Sequence, residues 1–372
     1  MTNKRISMVV GFALSLLLLV GCGSDAKTAK TPAGDLLRAS VEKQFEMESA
    51  HSVTDVTLDV QLNEDAQKNP NLAMLAPFLK DAKLTIDQNA VIKENLAHAA
   101  MVAVTGGQTY NADLYMTSPT KMVFQTELIP QPVIMDLEKI QEFANATNPA
   151  GSVAPMASFS GMYTEENKAQ VKVAMDIFGE AFKGVEPTKR EAEEIEFSTG
   201  KESLDMMSYS YKNNEEALAL FEKVAKNVME SEKMYDLITS EEMKKAMDPA
   251  QAAAIPSKEE YAKQMEQAKK DFDAQFPTMK EQFNAAVELK DATVKLGVDA
   301  DGYMRHSAFI FEATVKQGGM EIPVKFTMTS NVDKINAVKK EDVKTIEVDE
   351  NNAIDFMDLL MMGMMGGAPQ MN

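Results

Sequence analysis

Cysteine occurs once in the 372 residues, histidine three times and tryptophan not at all. One thiol excludes an intramolecular disulfide framework, so the fold has to rest on core burial, which a chain of this length can supply. The histidines, His51, His98 and His306, are isolated and show no metal-ligand spacing, so structural or exposed roles are expected of them. Basic residues are in short supply: 38 Lys and Arg stand against 57 Asp and Glu, a formal charge of −19. Such a surface disfavours nucleic acid and anionic lipid headgroups and favours solubility. Past the first 21 residues no apolar run is long enough to cross a bilayer. Catalytic signatures are also missing. There is no G-x-S-x-G, no H-E-x-x-H and no phosphate loop. The sequence therefore offers no case for an enzyme and indicates no cofactor.

The single thiol sits at a telling place. Lys4 and Arg5 precede the apolar core "VVGFALSLLLLVG", a basic region followed by an apolar one too short to span comfortably, which reads as an export leader over residues 1–21. Leu19-Val20-Gly21-Cys22 resembles the bacterial lipoprotein signal, in which an aliphatic and two small residues precede the modified cysteine. The resemblance implies that the Cys22 thiol receives a diacylglyceryl group and becomes the new N-terminus. Two acyl chains, at about 0.8 kcal/mol per buried CH₂, hold a protein at a membrane where one would be marginal. A plain secretory leader with a stray cysteine is the alternative. Loss of Lys4 and Arg5 with the leader would take the charge from −19 to −21, so the body should stand off an anionic leaflet. The expected location is the extracytoplasmic face of the cell membrane.

Residues 22–34, with "GSDAKTAKTPAG", are small and polar and read as a flexible tether. Leu37, Val41 and Phe45 share a helical face. "VTLDVQL" then alternates, with Val56, Leu58, Val60 and Leu62 on one side, as a half-buried strand does. Strands around Leu84 and Ile86, across the Gly106-Gly107 turn, and through "KMVFQTELI" follow, the last expected to stop at Pro130 and Pro132. Residues 130–165 read as a long lid or insert with one helical patch around 140–144. A helix over 168–182, strands "EEIEFSTG" and "LDMMSYSYK", and a helix capped by Asn213 or Asn214 come next. Ser257 and Glu260 form a capping box before a stripe of Tyr261, Met265, Ala268, Phe272, Phe276, Met279, Phe283 and Val287, with Pro277 expected to kink the helix. The strands "DATVKLGVDADGYMRHSAFIFEATV", "MEIPVKFTMTSN" and "VKTIEVD" close the pattern. The expected domain runs over 35–348, divisible into pseudo-equivalent halves 35–165 and 190–348 that share one curved antiparallel sheet, with a Met-rich tail over 349–372.

Methionine is the compositional excess, 28 residues. Flexible thioethers serve as core filler, as the lining of a deformable apolar cavity, or as soft copper ligands. Met357, Met361, Met362, Met364 and Met365 cluster in the tail, but no His or Cys joins them. "DADG" at Asp299–Gly302 is similar to the start of a calcium loop, yet lacks the later ligands, and a hairpin turn is the simpler reading.

A lipidated cysteine, a polar tether, a helix ending near "ESAHSV" and then a strand meander together resemble the lipoprotein carriers and related surface lipoproteins (LolA- and LppX-like). "ATVKLGVDADGYMRHSAFIFEATV" is similar to their later sheet. The resemblance implies an α+β fold: a strongly curved antiparallel half-barrel with helices on its concave side and a groove for acyl chains. The helical middle, about 165–255, and the tail depart from that pattern. The expected groove has Val56, Leu58, Phe124, Phe309, Phe311 and Phe326 as its wall and Met265, Phe272, Phe276 and Phe283 on a closing helix. The expected function is non-catalytic binding of a lipid-like ligand by a membrane-anchored protein. The alternative is a solid interaction module for an envelope protein; copper binding by the tail is a third reading.

Overall fold

The computed structural model describes residues 31–62, 78–147, 165–246, 252, 254–317, 320–349 and 352–364. The leader, Cys22, most of the tether, Gly318-Gly319 and residues 148–164 of the expected insert lie outside them. No described helix is long and apolar enough to cross a membrane.

Two antiparallel meanders make up one large sheet. The first is β1 (Ser49–Val60), β2 (Ala82–Val91), β3 (Leu96–Thr105), β4 (Gln108–Ser118), β5 (Lys121–Thr126) and β6 (Ile129–Asp136). The second is β7 (Lys189–Phe197), β8 (Gly200–Tyr211), β9 (Val287–Val298), β10 (Met304–Gln317) and β11 (Met320–Asp333). They join where β1 pairs with β11, His51 opposite Asp333 and Val60 opposite Val324. With the two-residue β12 (Ile354–Asp355) parallel to β6, the order is β12-β6-β5-β4-β3-β2-β1-β11-β10-β9-β8-β7, an open α+β sheet of 12 strands. Gly106 and Gly107, at φ 58° and 75°, supply the two left-handed positions that a tight β3–β4 hairpin needs.

Pro130 and Pro132 do not end the meander. They lie in β6, next to a register irregularity and one strand from the sheet's end, where a missing N–H is tolerated. "VKTIEVD" is a second departure. Instead of forming a strand, residues 334–349 run as a strap across the sheet: Val338 and Val343 pack on Val91 and Leu96, and Lys340 pairs with Glu94 at 3.1 Å.

The register assigns side chains to faces, because directly opposed residues share a side. One face carries Met207, Leu296, Val298 and Met304, and α1 (Ala33–Gln44) buries Ala33, Leu36 and Leu37 against them. α3 (Glu165–Ala181), α4 (Asn214–Glu230), α5 (Met234–Ile238) and α6 (Glu241–Ala246) build outward from there; α2 (Leu137–Thr147) sits beside β6. The Asn213 side chain caps α4 by accepting from the Glu216 N–H. α7 (Lys258–Ala286) opens with the Ser257/Glu260 capping box and continues through Pro277. α8 (Phe356–Met364) ends the described chain beside β6.

The opposite face carries Phe197, Leu204 and Met206. Here the sheet curls. Four strand spacings in a flat sheet put β7 and β11 about 19 Å apart, yet Ser198, just past β7, donates its N–H and Oγ to Asp333 Oδ2 at 2.9 and 2.5 Å. Gly297 is the residue that allows it: a Cβ there would come within 2.8 Å of Leu204 Cδ1 and 3.2 Å of His306 Cβ, and would strike Met206 Sδ. This corner therefore bends away from the helices, so the expectation of helices on the concave side fails here.

Candidate functional site

The helices do not close down fully on the sheet. Between them lies a cavity of about 530 Å³. Its floor is Tyr209 and Tyr211 of β8 and Val294 and Leu296 of β9, all on the helix-bearing face by register. Met175, Phe178 and Phe182 form one wall, following the 3–4 spacing of α3, with Phe178 and Phe182 stacked at 4.2 Å. Leu37 of α1, Leu220 of α4 and Leu237 of α5 complete the apolar lining.

The polar lining consists of five charged residues and the two phenols. Arg38 of α1 pairs with Asp176 of α3, and Lys233 reaches Glu180 at 3.0 Å. The Lys233 ammonium and the Ser231 hydroxyl hold the Glu180 carboxyl below its usual range against the opposing effect of burial. Asp35 adds an exposed carboxylate to the rim. Burial, with Glu186 adding to it, pushes the Tyr209 phenol up to about 12, and burial also raises Tyr211. Both stay protonated at neutral pH, and neither hydroxyl has a hydrogen-bond partner among the described residues.

The wall residues read from sequence are brought onto this same face, but farther along the sheet. Val56 lies opposite Met328; Leu58 faces Phe326, which faces Phe311; Phe309 also faces Met328. Phe309 and Phe326 are 5.9 Å apart. Phe124 pairs with Leu114 four strands from β1. All six are partly exposed, and none lines the cavity. The helical stripe differs again. Phe272 and Phe276 of α7 pack on Phe221 of α4 at 6.1 and 6.3 Å, so their partners are a helix and not a groove. Met265 and Phe283 are half-buried on the same helix and do not reach the cavity either. The stripe that does line it, Met175-Phe178-Phe182, belongs to the helical middle that departs from the carrier pattern. Its periodicity was the available signal.

A second, open cleft of about 430 Å³ at the start of α4 is lined mostly by polar residues, and Asn214 is fully engaged within it. Asn214 donates to Asn284 and to the Val287 carbonyl and accepts from the Leu289 N–H.

The histidines lie on the opposite face. His51 is buried between Asp333 (Nδ1 to Oδ1, 2.5 Å) and Asp87 (Nε2 to Oδ1, 3.0 Å). His98 meets Asp113 at 2.6 Å and His306 meets Asn331 at 2.7 Å. Ser198, Asp333 and His51 stand in the order Ser–Asp–His, so the hydroxyl gives its proton to a carboxylate and not to a base; this is not a nucleophile's geometry. Arg305, buried in the β10 bulge, pairs with Glu202 at 3.0 Å and Asp299 at 3.2 Å and lies 4.7 Å over Phe197. Asp299 accepts from the N–H groups of Asp301 and Tyr303, making "DADG" a hairpin turn. Among the described residues no group of three His, Cys, Asp or Glu is arranged to hold a metal. Of the tail methionines, Met357 and Met361 lie on α8 with described side chains; Met365 is outside the described residues.

No family model and no curated protein matches the chain. Among solved structures it is similar to a beta-barrel-like protein with a domain of unknown function from Brucella abortus, at 7% identity over 77% of this chain and 98% of that one, with a TM-score of 0.15. A score that low carries no argument about fold or function, so the resemblance to lipoprotein carriers rests on the sequence pattern.

Proposed function

We propose that the protein is a non-catalytic binder of an apolar, lipid-like ligand, held at the extracytoplasmic face of a membrane by acylated Cys22. The observation that carries the binding half is the 530 Å³ cavity between helices and sheet, lined mainly by apolar side chains, with four of its five charged residues paired to one another. That volume is within the range of small-ligand sites, roughly 300–1,000 Å³. Filling it with hydrocarbon would gain about 25 cal/mol per Å² removed from water. The anchoring half is supported by the Leu19–Cys22 signal and by the absence of any other cysteine. Carrier-like use of the site agrees with the broad antiparallel sheet, although the ligand space sits under the helical middle and not along the strands named from sequence.

The test is native mass spectrometry of residues 23–372 purified from a lipid-rich host, before and after solvent extraction. A bound mass of lipid size, lost on extraction, is expected. An apo mass that stays unchanged after incubation with membrane lipids would reject the cavity as a ligand site and favour the interaction module.

A further inference from the structure

If the cavity is an apolar ligand site, as proposed above, its size and rim select among amphiphiles. At about 530 Å³ the cavity falls in the lower half of the range of small-ligand sites, roughly 300–1,000 Å³, which suits one acyl chain with a small head better than two chains.

The rim selects the head. Its two cations are already engaged, Arg38 by Asp176 and Lys233 by Glu180, and both oxygens of Glu180 are in use, one by Lys233 and one by the Ser231 hydroxyl at 2.9 Å. Asp35 then leaves the rim with one more carboxylate than cation. An anionic head entering there would have to break an ion pair or meet unbalanced negative charge, within a protein of net charge −19. The hydroxyls of Tyr209 and Tyr211 have no partner among the described residues and can donate to an ester, ether or hydroxyl oxygen.

We infer that the cavity takes a single-chain amphiphile with an uncharged, oxygen-bearing head, of the monoacylglycerol class, in preference to a free fatty acid or a diacyl lipid. Residues 23–372 contain every described strand and helix, so this chain, stripped of bound lipid, is the material for calorimetric titration at pH 8. The probes are monolaurin, laurate and dilauroyl phosphatidylcholine. Monolaurin is expected to bind at least tenfold more tightly than laurate, with no saturable binding of the diacyl lipid. Asp35→Asn, which removes a rim charge that pairs with nothing described, should narrow the gap severalfold by improving laurate. Laurate binding as tightly as monolaurin, or a saturable diacyl complex, would overturn the assignment while leaving the cavity a ligand site. Failure of all three probes to bind would overturn both.

Discussion

Along β8 and β9 the helix-bearing face of the sheet is roofed: α1, α3, α4 and α5 stand over Tyr209, Tyr211, Val294 and Leu296 and enclose a cavity. Along β1, β2 and β11 the same face carries side chains of the same kind, Val56, Leu58, Leu84, Ile86 and Phe326 among them, with no described helix closely packed on them. The two halves of the sheet share strand chemistry and pairing. They differ in what their connections can build. β3–β4, β4–β5 and β5–β6 are joined by two-residue turns, whereas residues 212–286 between β8 and β9 hold α4 to α7. A two-residue turn supplies no second layer, whereas a long connection can; most of the connection from β1 to β2, residues 61–81, lies outside the described residues. The first half is covered instead from the opposite side, by the strap whose Val338 and Val343 bury Val91.

The contrast predicts unequal costs for truncating similar residues. Met207→Ala, at a side chain with 0% exposure under α1, should cost about 2–5 kcal/mol in urea unfolding, because it leaves a closed void. Leu58→Ala on the half-covered stretch should cost clearly less, as the site can relax and was never fully dry. Equal costs would mean that both stretches are sealed alike. Next in size is the curled corner: Gly297→Ala should cost about 1–3 kcal/mol, since buried Met206 and Leu204 would have to give way. No loss of stability would show that the curl does not depend on that glycine.

Acid should act on the opposite face in two stages. Burial depresses the His306 pKa below 6.5, so the unfolded chain takes up that proton first, and stability is lost as pH falls from about 6.5 through the folded value. Burial works against ionisation of Asp333, but Ser198 and His51 outweigh it and hold the carboxyl below 3.8. Its contribution, present above 3.8, should be lost as pH falls through the lower folded value. His306→Gln should remove the first stage and Asp333→Asn the second, read as unfolding free energy from pH 8 to pH 2.5; an unchanged profile in both variants would contradict this. The smallest effect returns to the roof. Gly179 sits inside α3 with no atom within 4 Å of an added Cβ. Gly179→Ala should raise stability by about 0.5–1 kcal/mol, measured by thermal unfolding, because it removes a glycine from a helix interior.

Much of the sheet was legible because half-buried strands alternate, as Val56-Leu58-Val60 does, and because Gly106-Gly107 permits just the left-handed turn a hairpin needs. Pro130 and Pro132 misled because a ban on proline in central strands does not hold near the end of a sheet. "VKTIEVD" misled because alternation marks a strand only when a neighbour is free to pair, and here the chain crosses the sheet instead. The cavity was the hardest feature to foresee. Met175-Phe178-Phe182 has the same spacing as Phe272-Phe276, yet one stripe lines open space and the other meets Phe221. Periodicity reports which face is apolar and not how completely its partner fills the gap. Likewise Val56, Leu58 and Phe326 share one face, but the enclosing helices settle over a different stretch of it.

If the protein binds a lipid as proposed, the ligand belongs under the roofed half of the sheet and not along the open one. The most direct test compares bound lipid in two variants of residues 23–372 by native mass spectrometry. Gly179→Phe projects a ring from the cavity wall, where a Cβ meets nothing; Leu58→Phe adds the same ring to the half-covered stretch of sheet. The lipid-sized mass is expected to disappear from Gly179→Phe and to persist in Leu58→Phe. The reverse pattern, with both proteins folded, would place the ligand along the strands and contradict it.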